Sequence, residues 1–229
     1  MNFKNKLNSL SKTTDLNHKS LFAIGTLVLA IVTSGIAQNS SLDLRDNLSI
    51  GIKAGMNYSN VWDEQGQDFR ADPRLGFAGG AFLSIPIGTY IGIQPEVLFS
   101  QKGFQGEGVL LGQNYSFSRT TTHIDIPLQF QLKPIEYLTI VLGPQYSYIL
   151  NEKNVYTFGS NSTEQEEQFE NDNIRKNILG FVAGADINIK NFVIAGRFGW
   201  DLQTNNGDGT SDTPRYKNQW LQLCLGLRI

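Results

Sequence analysis

Leu221-Gln222-Leu223-Cys224-Leu225-Gly226-Leu227-Arg228-Ile229 is the stretch of sequence that decides the fold. Every odd position holds a large aliphatic residue, and every even position holds a polar or small one. Successive side chains of a β-strand point to opposite faces, so one face of this strand is apolar and the other carries Arg228. In a soluble sheet the apolar face would pack on another layer, whereas in an outer-membrane barrel it would meet lipid.

Similar alternation recurs along the chain after residue 48. We predict eight strands, near residues 49–59, 75–85, 90–103, 115–132, 137–150, 177–189, 192–203 and 218–229. Three predicted connections are tight turns (86–89, 133–136 and 190–191), and four are long and polar (60–74, 104–114, 151–176 and 204–217). Outer-membrane barrels alternate short periplasmic turns with long outer loops in this way. The pattern therefore predicts an all-β fold, an eight-stranded antiparallel up-and-down transmembrane β-barrel with both termini on the periplasmic side.

Charged side chains of both signs share the face opposite the apolar one. The predicted lumen charge network consists of Lys53, Glu96, Lys102, Asp125, Asp186, Arg197 and Arg228. Buried charges are costly unless they are paired, and mixed signs allow pairing. Eight strands enclose a space that side chains can just fill. We therefore predict a packed, salt-bridged lumen without an open pore.

Aromatic residues lie near many predicted strand ends, where membrane proteins place their interfacial girdles. The girdle candidates are Tyr58, Tyr90, Tyr115, Tyr137, Tyr146, Tyr148, Trp200 and Trp220. This distribution predicts girdles of aromatic residues at the two edges of an apolar belt.

The N-terminal segment has the composition of a secretory signal peptide. Four lysines precede an apolar run at residues 21–37, which ends in Gly35-Ile36-Ala37. A charged start, an apolar core and a small-residue exit predict cleavage after residue 37; a short membrane anchor is the alternative. We therefore divide the chain into a signal peptide (1–37), a lead segment (38–48) and an outer-membrane barrel domain (49–229). The single cysteine, Cys224, excludes an intramolecular disulfide.

The sequence offers little chemistry. After the predicted cleavage point the one histidine is His123, which shares the lumen face with Asp125. A His–Asp pair can activate water or a serine, but a histidine within a polar lumen network is the interpretation we prefer. Residues 151–176 are rich in carboxylates, which calcium binds, but their spacing matches no EF-hand loop. We predict no enzyme, no cofactor and no metal site.

Several segments resemble one known family. Gly51-Ile52-Lys53-Ala54-Gly55-Met56-Asn57 resembles the first strand of the PorT-like outer-membrane β-barrel family of Bacteroidota, and residues 93–103, IQPEVLFSQKG, are similar to its third. Ile124-Asp125-Ile126-Pro127-Leu128 and Leu142-Gly143-Pro144 resemble its fourth and fifth strands. The resemblance implies an eight-stranded barrel in the outer membrane of a Gram-negative bacterium. Most members of the family have no assigned role.

Four functions come into question from the sequence, of which a soluble exported ligand-binding barrel of lipocalin type ranks last, because the inferred charges share one face with glycines while the other face is uniformly apolar. The first is a structural or interaction role for a small closed barrel that presents long loops to the cell exterior. The second, an accessory subunit of an outer-membrane secretion or transport machine, rests on the resemblance alone. The third is a barrel-rim hydrolase that uses His123 and Asp125. The expected partners are outer-membrane lipid and a protein that contacts the loops or periplasmic turns; the acidic mature chain argues against nucleic acid.

Overall fold

Antiparallel strands make up the regular structure in the computed structural model, which describes residues 45–63, 71–110, 113–158, 161–168, 175–205 and 216–229. The strands are β1 (Ser49–Asp63), β2 (Asp72–Pro86), β3 (Ile91–Leu110), β4 (Gln113–Ile135), β5 (Leu138–Phe158), β6 (Asn161–Gln168), β7 (Asn177–Ile189), β8 (Phe192–Asp201) and β9 (Tyr216–Arg228). Across these ranges, no helix is long and apolar enough to cross a membrane.

Eight of these strands close into a ring. Each pairs antiparallel with its neighbours in the order β4-β3-β2-β1-β9-β8-β7-β5, and a further pairing of β4 with β5 completes the circle. The β1–β9 seam, which joins the two ends of the domain, runs from Gly51 opposite Arg228 to Asp63 opposite Tyr216. The predicted eight-stranded up-and-down barrel is confirmed. β6 is a ninth strand, which pairs with β5 outside the ring.

The final strand shows how the sequence pattern becomes an inside and an outside. Leu221, Leu223 and Leu225 are 56%, 61% and 67% exposed, whereas Gln222 and Cys224 between them are buried. The other ring strands alternate likewise, so the barrel carries an outward apolar belt around a polar interior. A soluble ligand-binding barrel has the reverse arrangement, with a polar outside and an apolar lumen. The arrangement here suits a bilayer, where the outer face contacts lipid and the inner face does not.

The two ends of the barrel differ. At the short-turn end, β2 and β3 are joined by residues 87–90, β4 and β5 by 136–137, and β7 and β8 by 190–191. In the last of these turns Lys190 adopts a left-handed φ of 55°.

Of the lead segment, residues 45–48 are described, and the Arg45 carbonyl accepts a hydrogen bond from Lys133 Nζ at 2.9 Å. The predicted signal peptide, residues 1–37, lies outside the described residues.

At the opposite end, two of the four predicted long loops are instead β-hairpins. β3 and β4 stay paired out to Leu110 and Gln113, and β5 and β6 stay paired out to Phe158 and Asn161. We call residues 103–110, 113–122, 151–158 and 161–168 the hairpin extension. Glycines and polar residues led to the loop predictions at 104–114 and 151–176, whereas most of the β4 part of the extension lies within the strand predicted at 115–132, where Thr and aromatic residues favour strands.

The outer face of β4 marks where the apolar belt ends. From Ile124 to Leu132, which is the part of β4 nearer the short turns, the outward positions are aliphatic or aromatic. From Ile124 toward the hairpin end, the next outward positions are Thr122, Thr120, Ser118 and Ser116. β3, β4 and β5 contain 20, 23 and 21 residues. A tilted strand needs about 9–11 residues to cross a bilayer. The hairpin extension therefore continues well beyond the belt.

Candidate functional site

Four of the charged residues predicted for the lumen form one connected group. Lys53 Nζ lies 2.6 Å from Glu96 Oε2, and Arg197 Nη2 lies 3.6 Å from Glu96 Oε1. Arg197 also binds both oxygens of Asp186, through Nη1 at 2.6 Å and Nη2 at 3.1 Å. All four side chains are buried. Glu96 therefore bridges a cation from β1 and a cation from β8.

Amides complete the hydrogen bonding of this group. Gln94 Nε2 donates to Glu96 Oε1 at 2.7 Å, and Arg197 Nε donates to Gln129 Oε1 at 3.0 Å. Such bonds offset part of the cost of removing ions from water. They also fix the side chains in one arrangement across the lumen.

Lys102 and Asp125 form a second pair nearer the hairpin end. Lys102 Nζ lies 3.1 Å from Asp125 Oδ2 and 3.5 Å from Ser147 Oγ. It also lies 3.8 Å from the ring centroid of Trp220, a cation–π contact in a desolvated setting. Trp220 was expected in an aromatic girdle; the structure places it in the lumen, 2% exposed, because even positions of β9 face inward.

Arg228 is the one predicted network residue that forms no ion pair with the others among the described residues. Its Nη2 donates to Asn188 Oδ1 at 2.7 Å, and Asn188 Nδ2 donates to Thr139 Oγ1 at 3.0 Å. The seven predicted residues therefore divide into a group of four, a pair and a separate arginine.

Sequence reasoning missed further buried charges on the same face. Asp201 accepts from Asn218 Nδ2 at 2.6 Å, and Glu152 Oε1 lies 3.3 Å from Arg119 Nε. Asp201 lies four positions after Arg197 and so has the same inward parity, a signal available in the sequence. The described buried charges then balance, five of each sign: Lys53, Lys102, Lys133, Arg197 and Arg228 against Glu96, Asp125, Glu152, Asp186 and Asp201.

His123 and Asp125 do not form the dyad that a rim hydrolase would need. His123 is 1% exposed, so it lies within the lumen and not at a rim. Neither ring nitrogen has a hydrogen-bond partner among the described residues, and both Asp125 oxygens lie near Lys102 Nζ. The expectation of a rim position was wrong because β4 extends far past His123. The part of the chain that the structure describes also holds no cluster of three or more His, Cys, Asp or Glu side chains suited to a metal ion.

An aromatic cluster lies one inward position beyond Lys102. Ring centroids are 5.3 Å apart for Tyr216 and Phe104, 5.7 Å for Phe104 and Phe117, and 4.9 Å for Phe117 and Tyr156. These rings come from β9, β3, β4 and β5, so they span the hairpin-end mouth of the lumen. Stacking of this kind adds to the energy of apolar burial.

Arg119 lies within this cluster. Its Nε donates to Asn154 Oδ1 at 2.8 Å and its Nη1 to the Tyr216 hydroxyl at 3.1 Å. The guanidinium carbon is 5.6 Å from the Phe117 centroid and 5.8 Å from that of Phe104. Tyr216 lies beyond the apolar belt, and its burial raises the pKa of the hydroxyl, which stays neutral while it accepts this bond. The cluster thus combines apolar rings with a cation, whose charge is compensated by Glu152 at 3.3 Å.

Further out, the same face of the extension leaves aromatic rings accessible. Tyr115, Tyr156 and Phe158 are each between 42% and 46% exposed. Tyr115 pairs across the strands with both Gly108 and Phe158, and its ring occupies the space that a side chain at Gly108 would need. Tyr115 was expected at a girdle; it instead lies on the inner face of the extension, because β4 continues past the belt.

Comparisons with known proteins identify a family and distant folds. Residues 36–205 match the family model described as outer membrane protein beta-barrel domain. Similar solved structures include the attachment invasion locus protein Ail of Yersinia pestis (TM-score 0.42, 15% identity, covering 80% of this chain and 99% of that chain). Others are Neisserial surface protein A (0.42, 9%, 78% and 96%) and OprG from Pseudomonas aeruginosa (0.38, 10%, 80% and 97%). Among curated proteins, none matches the sequence significantly.

Proposed function

We propose that this chain, which belongs to the outer membrane protein beta-barrel domain family and lies in the outer membrane, is a non-enzymatic, closed barrel with an interaction role. In this proposal the barrel anchors the hairpin extension and holds it outside the cell, where it contacts a protein partner. The short-turn end and both termini then face the periplasm.

The observation that carries the proposal is the excess length of β3, β4 and β5. Their 20, 23 and 21 residues are about twice the length that membrane crossing needs. The added length forms a paired sheet that presents the half-exposed aromatic side chains of Tyr115, Tyr156 and Phe158. Exposed aromatic side chains are typical of the residues that contribute most to protein–protein binding.

The filled lumen supports the non-conducting part of the proposal. Glu96 and Arg197 join ions across the interior, and the cluster around Phe104 and Tyr216 lies over the hairpin-end mouth. Eight strands leave room for little besides side chains. Steady single-channel currents from the purified barrel in a planar bilayer would contradict this part.

The orientation predicts which end reacts with an impermeant reagent on intact cells. In a Cys224→Ser background, Glu107→Cys at the hairpin end should react with a membrane-impermeant maleimide, because Glu107 is exposed beyond the belt. Glu136→Cys, exposed at the short-turn end, is the matched control and should react only after the outer membrane is opened. The opposite pattern of labelling would reverse the orientation.

Shortening the extension should separate contact from folding. Replacing residues 105–118 and residues 153–166 each by an Asn-Gly turn rejoins strands at positions that already pair, Phe104 with Arg119 and Glu152 with Glu167. We expect the shortened protein to stay a barrel that migrates differently when boiled. We also expect that the shortened protein no longer cross-links, on living cells, to the protein partner that the intact barrel cross-links to. Equal cross-linking by both forms would refute the interaction role of the extension.

Three finer assignments are part of the proposal. The resemblance of residues 93–103 supports a PorT-like member from Bacteroidota, and a role in a secretion or transport machine would require that machine to co-purify with the barrel. Export through a signal peptide at residues 1–37 would give a mature chain that begins at Gln38, which N-terminal sequencing can check.

A further inference from the structure

β6 is the last strand on one side of the hairpin extension. It pairs with β5 in eight consecutive register positions, from Asn151 opposite Gln168 to Phe158 opposite Asn161. No strand among the described residues pairs with its other side, so the extension has the order β3-β4-β5-β6 and ends there. An edge strand presents a row of unpaired backbone N–H and C=O groups, which can template another strand.

The sequence of β6 sets the charge at this edge. Its positions Glu164, Glu166 and Glu167 lie opposite Val155, Lys153 and Glu152 of β5 in the register. Lys153 is directly opposite Glu166 alone, so the register gives Glu164 no cation opposite it. Glu167 is opposite Glu152, which already lies within 3.3 Å of Arg119. The edge carries an excess of negative charge.

This charge discriminates between possible occupants. A second copy of the chain would bring its own Glu164 and Glu166 alongside, and like charges on directly opposed strands are destabilising. A strand with lysine or arginine at alternate positions would instead place cations on the face shared by Glu164 and Glu166. Opposite charges in such cross-strand pairs are favourable.

We propose that the β6 edge binds an extended, basic segment of a partner protein, which adds a fifth strand to the extension. The inference rests on the proposed interaction role and names the chemistry of the partner. Backbone hydrogen bonds supply the affinity in strand addition, and the side-chain pattern supplies the specificity. The partner is thus recognised by the backbone of this edge strand and by a charge pattern, not by a folded surface.

The test uses the full-length protein in lipid nanodiscs and a capped peptide of about eight residues that alternates lysine with valine, matched to the length of β6. We expect saturable binding by fluorescence anisotropy, which weakens with salt. The double variant Glu164→Gln/Glu166→Gln should bind about tenfold more weakly. Glu107→Gln, an exposed carboxylate on β3 away from this edge, is the matched control and should bind as the parent does.

Two further peptides separate strand addition from charge attraction alone. The same peptide with alternate backbone nitrogens methylated keeps its charge but cannot pair along that edge, so it should not bind. A glutamate–valine peptide should not bind either. Equal binding of the methylated peptide, or no binding of the lysine peptide, would overturn the proposal, and the acidic edge would then serve only to prevent aggregation. If partner cross-linking still depends on the hairpins in that case, the interaction role stands without strand addition.

Discussion

Glu96→Gln is expected to lower the free energy of unfolding of the barrel by about 3–5 kcal/mol, the range found when one partner of a buried ion pair is removed. Glu96 lies 2.6 Å from Lys53 and 3.6 Å from Arg197, and all three side chains are almost fully buried. Glutamine keeps the shape but removes the charge, so it leaves Lys53 without a carboxylate. The change in free energy is measured by urea titration of the protein in lipid vesicles. The folded fraction is read from the different gel migration of the folded and unfolded forms.

Glu136→Gln is the matched control for this charge removal. Glu136 is exposed in a short turn, so the same chemical change there should alter stability by less than about 0.5 kcal/mol. Adding Lys53→Met to Glu96→Gln should restore part of the loss, because the second substitution removes the orphaned cation. Equal, small effects of Glu96→Gln and Glu136→Gln would show that the lumen around Glu96 is hydrated and that its charges are not held by pairing.

The ring of strands and its inside–outside pattern could be predicted because both depend on local sequence. Parity alone places Leu225 outward and Lys53 inward, and a strand shifted by one residue would turn its own lumen charges toward lipid. The same parity rule identifies Asp201, which the prediction overlooked because it lay near a predicted strand end. Which lumen charges pair could not be predicted, since Lys53 on β1 and Glu96 on β3 belong to strands that do not pair directly and meet only across β2.

In the hairpin extension, residues 104–110, 113–114, 151–158 and 161–168 were predicted as loop but are strand, and the reason is physical. Residues such as Gly106 and Gly108 weaken a strand taken in isolation. In the folded chain the ring of Tyr115 lies over Gly108, and Phe117 pairs across from Gly106, so the neighbouring strand supplies the packing that glycine lacks. Contacts between strands, which a single segment does not reveal, turned predicted loops into sheet. For the same reason Trp220 and Tyr115, assigned to girdles by their position near strand ends, have other roles.

Gly55→Ala is the second substitution with a large expected effect, because Gly55 lies on the seam that closes the barrel. It pairs with Cys224 of β9, and a Cβ atom added at Gly55 would lie 2.6 Å from the Cys224 Cα. The carbonyl oxygen of Leu223 would be closer still. Both obstacles are backbone atoms, which cannot rotate away as a side chain can. We expect β1 and β9 to separate locally and the free energy of unfolding to fall by about 3 kcal/mol, at the upper end of overpacking effects.

Gly88→Ala provides the comparison, since a Cβ at Gly88 would meet no atom within 4 Å. Both substitutions add the same methyl group and reduce the backbone freedom of the unfolded chain alike, so the difference between them reports contact in the folded state. We expect Gly88→Ala to assemble and unfold as the parent does, while Gly55→Ala gives a smaller yield of heat-modifiable barrel. If Gly55→Ala matched Gly88→Ala in both yield and stability, β1 and β9 could not approach each other as closely as this register requires. The barrel would then have to close with a wider seam, and the stagger between its first and last strands would differ from the pairing of Gly55 with Cys224.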